Sequence, residues 1–193
     1  MIERTVFWQP WNDVGLEHLH LVESDNGAIA DSLLIQMIAD EPIRLHYEIR
    51  VDAGWRVREA DIHVCGPDHR QLTLRSNGSG DWTDATGGAL DHLRGCIDID
   101  LTATPFTNTL PIRRISLELG EAEEISVTYI TVPELSVRVE RQRYTCLEKT
   151  EQGGIYRYEG LDTGFQTELP VDSAGLVLEY PGIFRRLSES NMN

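Results

Sequence analysis

The sequence lacks the segments and motifs by which membrane proteins, secreted proteins and several enzyme classes are recognised. No run of about 18 apolar residues occurs, so no transmembrane helix is predicted. The N-terminus reads MIERTVFWQPW and has no apolar segment before a small-residue cleavage site, so we expect no signal peptide and a cytoplasmic location. P-loop, nucleophile-elbow, HExxH and dinucleotide glycine patterns are also missing. These absences favour a binding protein over an enzyme.

Lysine is almost absent, and positive charge is scarce as a whole. Lys149 is the only lysine among 17 basic residues, while 32 acidic residues bring the net charge to -15. A body of this charge repels polyanions and anionic membrane surfaces. We therefore expect no nucleic acid among its partners, and the absence of a long apolar run predicts no integral membrane association.

Cysteine is rare and unpaired in the sequence. Cys65, Cys96 and Cys146 are odd in number and far apart, which predicts free, buried thiols rather than disulfides. His63 and Cys65 could share one face of a strand, but zinc needs two further ligands and none stands at a credible spacing. We expect no metal site and no cofactor.

Long helical periodicity is missing as well, and period-two alternation takes its place. Residues 28–38 are apolar, and the turn at Asp25-Asn26-Gly27 before them favours a strand. Alternation is clearest from residue 43 to 51, followed by a return strand from Trp55 to Val64 and a turn at Gly66-Pro67-Asp68. The pattern continues to the C-terminus, which predicts one all-β domain over residues 1–193, barrel-like or sandwich, with a frayed tail at 188–193.

The densest group of polar residues lies between Cys96 and Ile115, in the segment CIDIDLTATPFTNTLPIRRI, here called the central segment. Its first part alternates apolar and polar residues, which predicts a half-buried strand ending at Thr104-Pro105. A loop of hydroxyl and amide residues is expected next, and then a strand from Ile115 to Leu119.

Two carboxylates and two guanidinium groups of this segment are candidates for function. Asp98 and Asp100 project from one face of the strand, about 6.6–6.8 Å apart at Cα from the strand rise. An acid–base pair, structural pairing with an arginine and contact with a ligand all remain open for them. Arg113 and Arg114 face opposite ways if extended, so one could meet an aspartate and the other an anionic head group.

Nine aromatic residues could line a cavity, because aromatic rings stack on sugars and line apolar sites, although β-sheet core is the more common role. These residues are Trp8, Trp11, Trp55, Trp82, Tyr129, Tyr144, Tyr156, Tyr158 and Tyr180.

The run DIDLTATPFTNTLPIRRI resembles the hallmark of a bacterial family called putative glycolipid-binding. Similar segments follow the same order along the chain: DAGWRVR with Trp55 and Arg58, ERQRYT with Gln142 and Tyr144, and VDSAGLVLEYPGIFRRL. The resemblance covers essentially the whole chain. It implies a fold similar to the periplasmic lipoprotein carriers: a large antiparallel sheet curled into an incomplete (half) barrel, with few short helical segments at its mouth. Those carriers work in the periplasm, so a role in lipid traffic between membranes is not expected here.

The resemblance implies a non-enzymatic binder of a glycolipid or another amphipathic small molecule. We expect the apolar part of the ligand on the concave face of the half-barrel and its polar head near the central segment. The expected ligand-binding residues are Arg58, Asp98, Asp100, Asn108, Arg113, Tyr144, Tyr180 and Arg185.

Two alternatives stay open. One is a hydrolase or isomerase of a glycosyl or acyl compound that uses Asp98 or Asp100. The other is a protein-interaction module without a small ligand, whose exposed strand edges pair with a second subunit in a homodimer.

Overall fold

The computed structural model describes residues 1–66 and 69–187 and is an all-β fold, as predicted. Pro67 and Asp68, predicted to form a turn, and the tail at 188–193 lie outside the described residues. The strands are β1 (Ile2–Pro10), β2 (Gly15–Ser24), β3 (Gly27–Ile38), β4 (Glu41–Asp52), β5 (Val57–Cys65), β6 (Arg70–Ser76), β7 (Trp82–Asp84), β8 (Asp98–Leu101), β9 (Ala122–Ile130), β10 (Val137–Thr150), β11 (Gly153–Gly160), β12 (Phe165–Asp172), β13 (Glu179–Tyr180) and β14 (Phe184–Arg186).

Within residues 1–66 and 69–187, helical structure is limited to short segments, which confirms the expectation. One α-helix, α1 (Thr109–Ile115), follows two 3₁₀ turns at Asp91–Leu93 and Phe106–Asn108. No helix in the described ranges is long and apolar enough to span a membrane.

The strands form two sheets, a large antiparallel sheet and a curled half-barrel sheet, which confirms the predicted fold class. The large sheet has nine antiparallel strands in the order β13-β14-β1-β2-β3-β4-β5-β6-β7. The second sheet has five strands in the order β12-β11-β10-β9-β8, and its pair β8–β9 is parallel. The chain passes from β7 of the large sheet to β8 of the second sheet through residues 85–97, and it returns between β12 and β13. The central segment packs against the large sheet through Leu101, Phe106 and Leu110.

The inner face of the large sheet is filled by the protein's own side chains. Its buried apolar residues pack in one cluster with Leu101, Phe106 and Leu110 of the central segment. A second cluster joins Ile112 of α1 to buried residues of the second sheet. The apolar part of a ligand, expected on the concave face of the half-barrel, is therefore not accommodated against the inner face of the large sheet. The central segment occupies that space.

Strand β8 is buried on both faces, so the prediction of a half-buried strand is wrong. Ile99 and Leu101 face the core of the large sheet, while Asp98 and Asp100 lie on the face shared with the inner residues of the second sheet. The alternating apolar and polar residues of β8 therefore face two different parts of the interior: the apolar core of the large sheet on one side and a polar region on the other. Asp98 and Asp100 remain on the inner face because each accepts hydrogen bonds, Asp98 from Arg114 and Asp100 from Gln142 and Thr107.

The predicted loop and the strand at Ile115–Leu119 are replaced by α1 and an irregular segment. Pro111 lies in the first turn of α1, where a missing N–H costs no helical hydrogen bond. The helix ends at Ser116, which takes the left-handed conformation with φ of 53°. Sequence alone does not distinguish a proline in a loop from one in the first turn of a helix.

Two smaller predictions also need correction. Trp55 belongs to the turn before β5, with φ of 60°, and not to the strand itself. Cys96 and Cys146 are free and buried as predicted, but Cys65 is exposed at the end of β5. The alternation along β5 places Cys65 on the outer face, opposite the buried Val64.

Candidate functional site

A cavity of about 290 Å³ opens between the inner face of the second sheet, the central segment and the C-terminal strands. Its volume lies near the lower end of small-molecule sites, which is room for a head group rather than for long acyl chains. The lining residues are Asp100, Leu101, Thr102, Thr104, Asn108, Tyr129, Glu140, Tyr158, Thr163, Phe165, Tyr180, Ile183 and Phe184.

Asp100 supplies a carboxylate to this cavity from strand β8. The Gln142 side-chain amide donates to its Oδ2 at 2.6 Å, and the Thr107 hydroxyl donates to its Oδ1 at 3.4 Å. Burial raises the pKa of Asp100 to about 6, the negative charge of Glu140 adds to this shift, and the two hydrogen bonds oppose it. Asp100 can therefore change its protonation near neutral pH.

Asp98 lies two residues earlier on the same strand but has a different environment. It is fully buried and does not line the cavity. Arg114 donates to both of its oxygens, through Nε at 3.1 Å and through Nη2 at 2.7 Å. Burial raises the pKa of Asp98, and the guanidinium opposes that shift. The pairing of one aspartate with an arginine, one of the three alternatives left open, is what the structure shows for Asp98.

Aromatic rings form one wall of the cavity. The ring centroids of Tyr158, Phe165 and Tyr180 lie 6.2–6.3 Å from one another, at interplanar angles from 36° to 62°. Tyr129 from β9 lines the cavity as well. Such a cluster offers contact area to an apolar group, a sugar or a cation.

The rim of the cavity is apolar and exposed. Phe165 and Ile183 both line the cavity and are 41% and 38% exposed. Trp11 lies beside them, because its backbone N–H donates to the Ile183 carbonyl at 2.8 Å, and it is 37% exposed. The site thus has a polar interior, an aromatic wall and an apolar rim.

Negative charge dominates the cavity. Asp100 and Glu140 line it, and no arginine, lysine or histidine does so within residues 1–66 and 69–187. Arg138 donates to Glu140 Oε1 from Nη2 at 2.5 Å and lies with its Cζ 4.4 Å from the centre of the Tyr129 ring. The guanidinium of Arg138 is therefore already paired with a carboxylate and stacked on a ring. The same described ranges contain no group of three potential metal ligands.

Four of the predicted ligand-binding residues lie at or directly behind the cavity. Asp100, Asn108 and Tyr180 line it. Tyr144 is buried behind the wall, and its hydroxyl donates to Asn108 Oδ1 at 2.9 Å. The structure thus brings together residues from β8, a 3₁₀ turn, β10 and β13.

The three arginines predicted to bind the ligand lie away from the cavity. Arg58 donates to the Ser76 carbonyl at 3.1 Å, near the ends of β5 and β6. Arg113 on α1 stacks on Trp55, with its Cζ 4.2 Å from the ring centre, and donates to Glu23. Arg185 lies over the Trp11 ring at 5.8 Å. None of the three lines the cavity.

Two acidic residues of the interior were missed by sequence reasoning. Glu140 lies on β10 four residues before the predicted Tyr144 and on the same inward face, so the period-two pattern could have found it. Glu17 precedes Leu19 and Leu21 on the inward face of β2, and the same rule applied to GLEHLHL would have placed it inside.

Glu17 is held in a cluster of hydroxyl groups under the cavity. It is 2% exposed, and its Oε1 accepts from Ser32 at 2.8 Å, from Tyr47 at 2.6 Å and from Thr104 at 2.8 Å. Its Oε2 has no hydrogen-bond partner among the described residues. Burial raises the pKa of Glu17 to about 7, and the three hydroxyl groups oppose the shift. Thr104 links this carboxyl to the cavity, which it lines.

Comparison with known proteins gives one family and one solved fold. The sequence model of the family described as "Putative glycolipid-binding" matches residues 5–186. The crystal structure of a DUF1089 family protein from Pseudomonas aeruginosa has a TM-score of 0.81 and 41% identity, covering 90% of this chain and 92% of that one. No curated protein matches. The family match spans nearly the whole chain, so this protein belongs to the Putative glycolipid-binding family.

Proposed function

We propose that this protein binds an amphipathic small molecule, a glycolipid or a related compound, with the polar head in the cavity beside Asp100. The observation that carries the proposal is the gradient along the site, from Asp100 and Asn108 inside to Phe165 and Ile183 at the rim. The polar head group of the ligand would replace its hydrogen bonds to water by hydrogen bonds to the polar interior, and its apolar chain would cover the exposed rim. The family's name agrees with this ligand class.

The size of the cavity limits what enters it. About 290 Å³ accommodates a head group, while the inner face of the large sheet is already filled. We therefore place the chain of the ligand outside the cavity, along Trp11, Phe165 and Ile183, which are each more than a third exposed. Burial of apolar surface contributes about 25 cal/mol per Å² to such binding.

A blocking substitution at the mouth tests this proposal. Ile183→Trp adds bulk at an exposed rim position, while Ile35→Trp adds the same bulk on the outer face of β3, where Ile35 is 56% exposed. We expect octyl glucoside, titrated below its micellar concentration and followed by calorimetry, to bind the wild type and Ile35→Trp. Binding to Ile183→Trp should weaken at least tenfold. Equal affinity in all three proteins would contradict the placement of the site.

One observation favours an enzyme as a second candidate. The raised pKa of Asp100, in a cavity that also holds Glu140, suits a proton donor acting near neutral pH. Asp98 is excluded from this role by its burial against Arg114. A hydrolase of this kind would release nitrophenol from nitrophenyl glycosides or esters, and Asp100→Asn would abolish the turnover. Turnover that survives in Asp100→Asn would remove this candidate.

A further inference from the structure

Asp98, Asp100 and Glu140 lie on the inner face of the second sheet and differ in whether an arginine neutralises them. Asp98 pairs with Arg114, and Glu140 pairs with Arg138. The partners of Asp100 are an amide and a hydroxyl, both neutral, and it takes part in no ion pair within the described ranges. A buried carboxylate without a counterion is costly, and a cation placed beside it removes much of that cost.

The aromatic wall stands next to this carboxylate. Asp100, Tyr158, Phe165 and Tyr180 line one cavity, and the negative charge of Asp100 contributes to raising the pKa of both tyrosines. With the three ring centroids 6.2–6.3 Å apart, a cation lying against this wall is within about 6 Å of more than one ring, which is the range of cation–π attraction. The Asp100 carboxylate and the aromatic rings thus both attract a positively charged group.

The remaining charges of the molecule act in the same direction. No basic side chain among the described residues lines the cavity, and the whole chain carries a net charge of -15. An anionic head group would be repelled by Asp100 and Glu140, and the nearby guanidinium of Arg138 is already paired with Glu140. A neutral sugar would find hydrogen-bond partners but would leave Asp100 without a counterion.

We propose that the head group bound in this cavity carries an ammonium group, which lies between the Asp100 carboxylate and the rings of Tyr158, Phe165 and Tyr180. The inference rests on the proposed function and narrows it to a class of ligand: amphiphiles with an alkylammonium or amino-sugar head. The cation supplies the counterion that the protein lacks at Asp100. Because it favours the ionised carboxylate, binding releases a proton below about pH 6 and weakens as the pH falls.

The experiment compares three single-chain amphiphiles that differ only in their head: octyltrimethylammonium, octyl glucoside and octyl phosphate. The trimethylammonium charge does not titrate, so any pH dependence of its binding belongs to the protein. Each is titrated below its micellar concentration by calorimetry at pH 5, 6, 7 and 8. We expect octyltrimethylammonium to bind at least tenfold more tightly than octyl glucoside at pH 8, and octyl phosphate to bind most weakly.

Substitutions in the protein test whether Asp100 and the aromatic rings cause the preference for the ammonium compound. Asp100→Asn keeps the shape of the side chain and removes the charge, so the ammonium compound should lose at least tenfold in affinity and its pH dependence, while octyl glucoside changes less than threefold. Tyr158→Leu should weaken the ammonium compound as well. Asp162→Asn removes an acid that is bound to Arg141 outside the cavity, and it controls for net charge.

The outcomes separate the two proposals. Tighter binding of octyl glucoside than of octyltrimethylammonium, or an ammonium affinity unchanged in Asp100→Asn, overturns the ammonium head group and leaves the proposed function standing. Absence of binding by all three amphiphiles overturns both. Equal losses in Asp100→Asn and Asp162→Asn would show attraction by net charge alone and would also overturn the inference.

Discussion

The buried carboxyl of Glu17 leads to a quantitative prediction about stability. In the folded protein burial raises its pKa to about 7, against an ordinary value of 4.5. The folded state therefore holds a proton that the unfolded chain releases between these two values. Stability that this proton provides is fully present below pH 4.5, falls as the pH rises and is lost above pH 7.

The size of the effect follows from the shift. A difference of 2.5 between 7 and 4.5 corresponds to about 3–4 kcal/mol, at about 1.4 kcal/mol for each pH unit. Glu17→Gln removes the ionisation and keeps an oxygen that can accept from Ser32, Tyr47 and Thr104. Relative to the wild type, the variant should gain about 3–4 kcal/mol between pH 4 and pH 8. Any fixed cost of the new amide is the same at every pH and cancels from this difference.

Urea unfolding followed by tryptophan fluorescence measures the effect, since the chain has four tryptophans, of which Trp8, Trp55 and Trp82 are buried. The free energy of unfolding is determined at each pH from 4 to 8 for wild type, Glu17→Gln and Glu168→Gln. The last variant removes one exposed carboxyl and controls for net charge. Asp100 is present in all three proteins, so its own titration cancels. Parallel curves for wild type and Glu17→Gln would refute the reasoning.

Three further substitutions test the interior. Arg114→Ala leaves Asp98 buried without its counterion and should cost about 3–5 kcal/mol in urea unfolding, whereas Arg141→Ala, at an exposed pair, should cost no more than about 1 kcal/mol; similar costs would contradict this. Phe106→Ala should cost about 3–5 kcal/mol by the same measurement, and a change below 1 kcal/mol would argue against the packing of the central segment on the large sheet. Gly27→Ala should lower the melting temperature, because φ is 137° and the added Cβ would lie 2.0 Å from a backbone oxygen; an unchanged value would contradict the turn geometry.

Much of the fold was predictable because alternation is a local signal. The strand at residues 28–38 and the long strand after Pro42 are confirmed as β3 and β4. The return strand predicted from Trp55 to Val64 corresponds to β5, which changes register with β4 where Arg50 pairs with Glu59 and Val51 with Val57. Each of these features depends on neighbours within a few residues.

The division into two sheets and the burial of β8 on both faces were not predictable in this way. Asp98 is interior only because Arg114, sixteen residues later, reaches it from a helix that the sequence did not reveal. The cavity likewise needs Asp100, Tyr129, Phe165 and Ile183, which belong to four separated elements or turns. The pattern indicated which residues are polar and inward but not which of them meet.

The resemblance and the residues together led to part of the site. Asp100, Asn108 and Tyr180 were selected and do line one cavity, whereas Arg58, Arg113 and Arg185 were selected for their charge and lie elsewhere. An anionic head group was one reason for choosing arginines. The structure instead brings carboxylates to the cavity, which favours the opposite charge in the ligand.

The most direct test of the binding function is native mass spectrometry of the protein purified from its own host, followed by organic extraction. We predict a discrete adduct that extracts as an amphiphile and that is absent from Ile183→Trp but present in Ile35→Trp. A bare mass for the wild type, or an adduct retained equally by Ile183→Trp, would contradict the assignment of the cavity as the binding site.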